Sequence, residues 1–382
     1  MSSSPSLEIV EVQTRARQKQ FFNLPWSLYK GDPNWVPPLR TNQWELLNFK
    51  PHPFYEQNRI QTFLALRDGR PAGRIAAIVN RGHLERYKDS RGFFGFYECE
   101  DNQETANALL DAARQWLREQ GCEQMRGPAN PSLNYECGML IEGFDRPPTF
   151  MMTYNPPYYP GQMDAYGLHK TQDMFAFYAR IDMLDTMDGK LREMYQRVVE
   201  RFDAKLRPID TRRFLDEVRM FLDIYNRSLP NTWGFVPMSE AEMEHASKGL
   251  KQLIVPELTQ VAEVNGRPVG AVFAMPDYNT RIKQIDGRLF PFGFIRLLWN
   301  RKGIRRIRLL STNVLPEYQM MGLGLVLTGR LLPVALKFGI NEGEFSWVLE
   351  SNHLSRRSLE RGGALREKTY RMYDTDPPPE KK

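Results

Sequence analysis

The residues best suited to chemistry lie between a strand-like and a helix-like run: Val314-Leu315-Pro-Glu-Tyr318-Gln319-Met320-Met321-Gly322-Leu323-Gly324. At such a turn successive backbone N–H groups, unobstructed at two glycines, make a cradle for a phosphate or pyrophosphate at the helix N-terminus. An isolated Gly-x-Gly carries little information. Here Gln-x-x-Gly-x-Gly follows a strand ending in Val-x-Pro-Glu-Tyr, and is followed by Ser346-Trp-Val-Leu-Glu350-Ser-Asn352 and by Leu359-Glu-Arg-Gly-Gly363-Ala364. The competing readings are an ordinary helix-start loop for Gly322 and Gly324 and a helix cap for Asn352. The five histidines (His52, His83, His169, His245, His353) show no ligand spacing, so no metal is expected. No motif ties a histidine to Cys137, which reads as a structural thiol.

These residues resemble the GCN5-related N-acetyltransferase (GNAT) superfamily, whose signature is Arg/Gln-x-x-Gly-x-Gly/Ala and then Asn-x-x-Ala-x-x-x-Tyr-Glu-Lys-x-Gly-Phe. The resemblance is specific over Ile304–Tyr373 and extends over Lys205–Asp374. It implies a mixed sheet splayed between its fourth and fifth strands, with the pantetheine arm of acetyl-CoA or another acyl-CoA in the gap. Val314, Leu315 and the loop Gln319, Met320, Met321, Gly322, Leu323 and Gly324 would bind the co-substrate, with Asn352 near the pantetheine end. A strand N–H would polarise the acyl carbonyl while a neutral amine attacks the thioester directly. The family's tyrosine, the usual proton donor to the thiolate, falls on Leu359. Tyr318, Tyr370 and Tyr373 are the substitutes considered, and Glu350 or Glu344 the base, the two sharing a strand face by alternation. Tyr225, Trp233 and Phe235 would border the acceptor.

The implied function is acyl-CoA-dependent N-acyl transfer, acetyl or longer, to a small-molecule, peptide or lipid amine. One alternative is aminoacyl or long-chain lipid N-acyl transfer, since tandem copies of this fold resemble cell-wall aminoacyltransferases and acyl-amino-acid-forming relatives. Another is a non-catalytic CoA-binding module at a membrane surface.

The elements that position these residues recur. Phe63–Gly73 and Gln260–Gly270 each place two apolar runs around Asp-Gly or Asn-Gly, a hairpin signal at an offset of 197. Pro33-Asn-Trp35-Val-Pro37 is echoed by Pro230-Asn-Thr-Trp233-Gly-Phe235-Val-Pro237, and Asn155–Lys170 by Asn352–Lys368. The chain therefore reads as two α/β domains of mixed sheet flanked by helices: a degenerate first copy over 1–182, a linking helix over 183–204, a second copy with the acyl-CoA site over 205–374 and a loose tail over 375–382. The second copy reads as a strand at 206–210, helices over 212–228 and 240–253, a hairpin at 258–275, a strand at 305–315, a helix over 324–338 set back or kinked by Pro333, a strand at 344–349, a helix over 354–361 and a strand at 365–373. Ser239 and Glu242 form a capping box. At the equivalent turn the first copy has Tyr97-Glu-Cys-Glu-Asp-Asn-Gln103, acidic and without glycines, which would repel a pyrophosphate; it reads as a scaffold covering the acceptor side.

With 382 residues, 41% hydrophobic and 26% charged, the chain is a globular protein of about two domains. No secretory signal or membrane span is read, and three cysteines without paired spacing fit a reducing cytoplasm. The net charge of +6 is concentrated: Arg288–Arg308 holds seven bases and no acid, interleaved with Leu289, Phe290, Phe292, Phe294, Ile295 and Trp299. A local patch argues against DNA and for a contact through 288–308 with an anionic membrane or an acyl carrier protein, making the protein cytoplasmic and peripheral to the membrane. A solvated basic face, with its apolar residues packed on the first copy, is the plain alternative.

Overall fold

In the computed structural model, which describes residues 6–186, 193, 205–319 and 321–376, the repeated Asx-Gly pairs each turn a hairpin. Asp68 (φ 50°) and Gly69 (φ 75°) join Arg59–Arg67 to Arg70–Val79; Asn265 (φ 51°) and Gly266 (φ 74°) join Thr259–Val264 to Arg267–Pro276. Positive φ at both central residues matches a two-residue turn to the strand twist, and Asx and Gly reach it at least cost.

The strands, in chain order, are β1 (Leu7–Glu11), β2 (Arg59–Arg67), β3 (Arg70–Val79), β4 (Arg91–Cys99), β5 (Gln124–Gly127), β6 (Ala129–Asn130), β7 (Glu136–Cys137), β8 (Met139–Glu142), β9 (His169–Arg180), β10 (Lys205–Pro208), β11 (Thr259–Val264), β12 (Arg267–Pro276), β13 (Arg306–Val314), β14 (Glu342–Leu349) and β15 (Leu365–Asp374). They belong to two compact units. One comprises Met1–Asp173, Ile282–Pro291 and Thr369–Lys382; the other comprises Met174–Arg281 and Phe292–Lys368.

In the first unit β1 to β4 pair antiparallel in order, β4 and β5 pair in parallel, and the Thr369–Asp374 end of β15 lies antiparallel to β5 and β8. The Gln103–Glu119 helix covers one face with Ala106, Leu109, Leu110, Ala113 and Leu117, the i, i+3, i+4, i+7, i+11 spacing of a single stripe, packed with Ile75, Ala77 and Met125. Asn102 caps it, its side chain accepting from the Thr105 N–H.

The second unit repeats this plan. β10 to β13 pair antiparallel in order, β13 and β14 pair in parallel, and Met174–Arg180 of β9 pairs antiparallel with β14. The Leu323–Lys337 helix packs Leu323, Val326, Leu327, Leu331 and Ala335 with Val269, Ala271 and Leu309. It runs unbroken through Pro333, which lies on its exposed side, where water can serve the carbonyl that loses a partner. The capping box at Ser239 and Glu242 forms in both directions. Except for residue 193 and the turn Ile181–Thr186, the linking helix read over 183–204 lies outside the described residues, as does the tail from 377.

Candidate active site

Between β13 and β14 the parallel ladder runs from Arg306↔Glu342 to Leu309↔Phe345 and there ends. From Ser311 to Val314, β13 keeps β12 as its neighbour on one side while its pairing with β14 has ended on the other. Because the two strands are parallel, both of their C-terminal ends, and the turns that follow them, fall on the open side of this split. The turn after β13 is the glycine motif; the turn after β14 carries Glu350 and Asn352.

Local bonds hold the glycine turn. Leu315 N–H donates to Val269 O (2.9 Å), closing the strand end, and Pro316–Gln319 forms a helical turn. The Gln319 side chain, though the residue is exposed, is held at two points: Nε2 donates to Val314 O (2.9 Å) and to Ser228 O (2.9 Å), tying the turn to the end of the Phe214–Ser228 helix. Gly322 precedes the Leu323–Lys337 helix at φ +83°, where an L side chain would cost roughly 1–2 kcal/mol. The first bonds inside this helix run from Leu325 and Val326 N–H to Gly322 O, so its first turn presents its leading N–H groups outward. Among the described residues a Cβ on Gly324 would meet only Thr312 Cγ2, at 3.8 Å, an exposed side chain of β13 beyond the split. Val314 and Leu315 are buried, Leu323 is fully buried, and Met321 is 53% exposed; Met320 lies outside the described residues.

Asn352 caps the His353–Arg361 helix, Oδ1 accepting from Ser355 N–H (3.1 Å), while its own N–H donates to Leu349 O (2.9 Å). Leu359, which the resemblance aligns with the superfamily's tyrosine, is half-buried and packs against the cluster of Phe175, Phe177 and Ala364. Tyr318 lies half-buried against the second unit's core. Tyr370 and Tyr373 are fully buried and belong to the first unit, Tyr370 opposite Leu140. Tyr225 and Phe235 meet edge to face at 5.8 Å between centroids, Phe221 stacks on Tyr225 at 6.4 Å, and Trp233 is half-buried in the loop that carries Phe235. Asn226 pins that loop by exchanging hydrogen bonds with Met238 (3.1 Å each).

A buried polar group at the split was not legible as such. Arg308 is 2% exposed; its Nε donates to Ser346 Oγ (3.0 Å), which donates to Glu344 Oε1 (2.8 Å), and its guanidinium lies 4.9 Å from the Trp347 ring. The β14–β9 ladder shifts register between Phe345 and Val348, so the alternation that would align Glu344 with Glu350 is interrupted; Glu344 is buried and Glu350 half-buried in the turn. This also corrects the extent of the basic patch. Arg308 is an inward strand residue and Arg306 pairs with Glu342 (3.0 Å), so the exposed bases end at Arg305.

The first unit has the same split with its own chain inside it. β4 and β5 pair from Arg91↔Gln124 to Phe93↔Arg126, and the next residues of β5 and β6 press back onto β4. Phe96 N–H donates to Asn130 Oδ1 (2.6 Å), and a Cβ on Gly95 would lie 1.8 Å from Ala129 O. Beside this plug, Glu98 accepts from Tyr29 OH (2.8 Å) and Tyr159 OH (2.9 Å), with Arg74 at 3.6 Å. Burial outweighs these partners and raises the Glu98 carboxyl above the usual glutamate range. Among the described residues no group of three or more His, Cys, Asp or Glu side chains is placed to hold a metal, and no helix is long and apolar enough to cross a membrane.

Two such sheets in tandem, each parted where its parallel ladder ends, define a tandem GCN5-related N-acetyltransferase fold. The chain is similar over 97% of its length to a tandem GNAT protein from the clavulanic acid biosynthesis pathway, covering 98% of that chain at TM-score 0.58 and 12% identity. It matches a GCN5-related N-acetyltransferase from Sphaerobacter thermophilus at TM-score 0.54 and 13% identity, over 96% of this chain and 95% of the other. No family model matches. Among curated proteins it is 35% identical over 394 residues to a bacterial ceramide synthase of Caulobacter vibrioides, covering 98% of both chains. It is also 35% identical over 364 residues to protein YghO of Escherichia coli, covering 93% of this chain and 92% of that one. The chain belongs to the family of these two proteins.

Proposed function

We propose that the second copy, 205–374, binds an acyl-CoA in the split between β13 and β14 and transfers its acyl group to the amine of a long-chain, lipid-type acceptor. The observation that carries the reading is the end of the β13–β14 ladder at Leu309↔Phe345, directly before the glycine turn. The thiol arm would lie along the freed edge of β13, and the diphosphate would meet the N–H groups of Gly322, Leu323 and Gly324. The name of the Caulobacter relative supports the lipid acceptor, since a ceramide is the amide of a long-chain amine and a fatty acid.

Transfer needs no covalent enzyme intermediate. The neutral amine nitrogen bonds to the thioester carbon, a β13 N–H stabilises the oxyanion, and the C–S bond then breaks. The ammonium proton passes to a base, and the CoA thiolate leaves and takes up a proton. Glu350 or Glu344 would serve as base and Tyr318 as proton donor, with Tyr225, Trp233 and Phe235 lining the acceptor side. The test is to incubate the purified protein with palmitoyl-CoA and sphinganine, follow free thiol and identify the amide by mass spectrometry. Stoichiometric thiol and amide are expected; thiol release without amide, or neither product at any acyl length, would refute the reading.

A further inference from the structure

The basic and aromatic stretch between Arg288 and Arg308 carries a surface that acyl transfer does not use. Within the second unit, Phe292–Lys302 forms the short helix Gly293–Leu298 and runs into the turn Arg301–Gly303. Its backbone is firmly held. Leu297 is 3% exposed and anchors the helix, and the Arg281 guanidinium donates to Leu297 O (3.0 Å), Asn300 O (2.6 Å) and Trp299 O. Arg301 Nη1 donates to Gln252 O (3.1 Å), and Trp299 N–H donates to Ile295 O (2.8 Å).

The large apolar side chains nevertheless face water. Phe292 is 74% exposed, Trp299 73%, Ile295 46% and Phe294 44%. Single exposed apolar residues are ordinary, but several on one short, well-anchored segment mark an interaction surface. Arg296, Arg301 and Lys302 are exposed among them, and no acid lies between Arg288 and Arg308.

We propose that this surface seats the protein on an anionic phospholipid bilayer, with Phe292, Phe294, Ile295 and Trp299 at the acyl boundary and Arg296, Arg301 and Lys302 among the headgroup phosphates. Aromatic rings partition to that boundary and basic side chains to an anionic leaflet, the two attractions this segment combines. An acidic carrier protein would satisfy the bases and leave the apolar tips in water. The proposal rests on the lipid-type acceptor, because a bilayer is where such an amine would be met.

The test is sedimentation of the full-length protein, without acyl-CoA or amine, on phosphatidylcholine vesicles with and without phosphatidylglycerol. Binding is expected on the anionic vesicles at low salt and about tenfold or more weaker on phosphatidylcholine alone. The double variants Phe292→Ser/Trp299→Ser and Arg296→Glu/Lys302→Glu, all at exposed positions, should each weaken it by about tenfold or more. No binding, equal binding to both vesicles, indifference to either double variant, or capture by an acidic acyl carrier protein in place of vesicles would overturn the proposal. Transfer to sphinganine dispersed in detergent micelles, with no vesicles present, separates the two readings. Its absence in a wild-type protein that still binds vesicles refutes the function and leaves the docking surface standing, whereas transfer without vesicle binding does the reverse.

Discussion

Gly324 allows the co-substrate reading to be tested without disturbing the fold. Its missing Cβ points toward exposed Thr312, 3.8 Å away and the nearest contact among the described residues. Gly324→Val should therefore keep the thermal midpoint within a few degrees while covering the N–H groups of the turn, lowering acyl-CoA affinity at least about tenfold by calorimetry. Gly322→Val would mix this loss with backbone strain, because φ there is +83°. Glu98 supplies a second residue-scale test. Its carboxyl is raised by burial, so the native state binds that proton more tightly than the unfolded chain does. Its contribution to stability is therefore present at low pH and is lost as pH rises from the ordinary glutamate value through the raised one. In the Glu98→Gln variant the amide oxygen would still accept from Tyr29 and Tyr159, and the side chain would not titrate. Urea unfolding across about pH 4 to 8 should show wild type losing stability relative to Glu98→Gln as pH rises; parallel profiles would contradict this.

At the scale of elements, the two splits differ in what occupies them. In the first unit Gly95 lets Ala129 O approach β4, and a methyl group there would stand 1.8 Å from that oxygen. Gly95→Ala should cost about 1–3 kcal/mol in chemical denaturation, because backbone rather than a flexible side chain must give way. Much of this scale was legible in the sequence. Asp68-Gly69 and Asn265-Gly266 announce their turns because few residues adopt positive φ, and Ser239 with Glu242 announces a helix start. The glycine turn was legible for the same reason. The plug was not, since nothing in Ala129-Asn130 says which backbone it will meet. Nor was the burial of Arg308: five bases lie within Arg301–Arg308, and only the pairing of β13 with β14, which sets Arg308 opposite Glu344, marks this one as the base buried against Ser346.

For the molecule as a whole, the sequence repeat and the compact units partition the chain differently. The end of β15, carrying Tyr370, Met372 and Tyr373, all 0% exposed, completes the first unit, and Met174–Arg180 of β9 completes the second. A strand's pattern fixes which face is buried but not its partner, so the repeat could not reveal this exchange. Residues 1–182 expressed alone should aggregate, with the edge of β5 unpaired, and should become soluble when 183–382 is co-expressed; copurification on a size-exclusion column would record it. The central claim is that one split in this chain accepts an acyl-CoA while the other is filled by its own backbone. Calorimetric titration of the full-length protein with an acyl-CoA tests it most directly: one site per chain is predicted, and no site, or two, would contradict it.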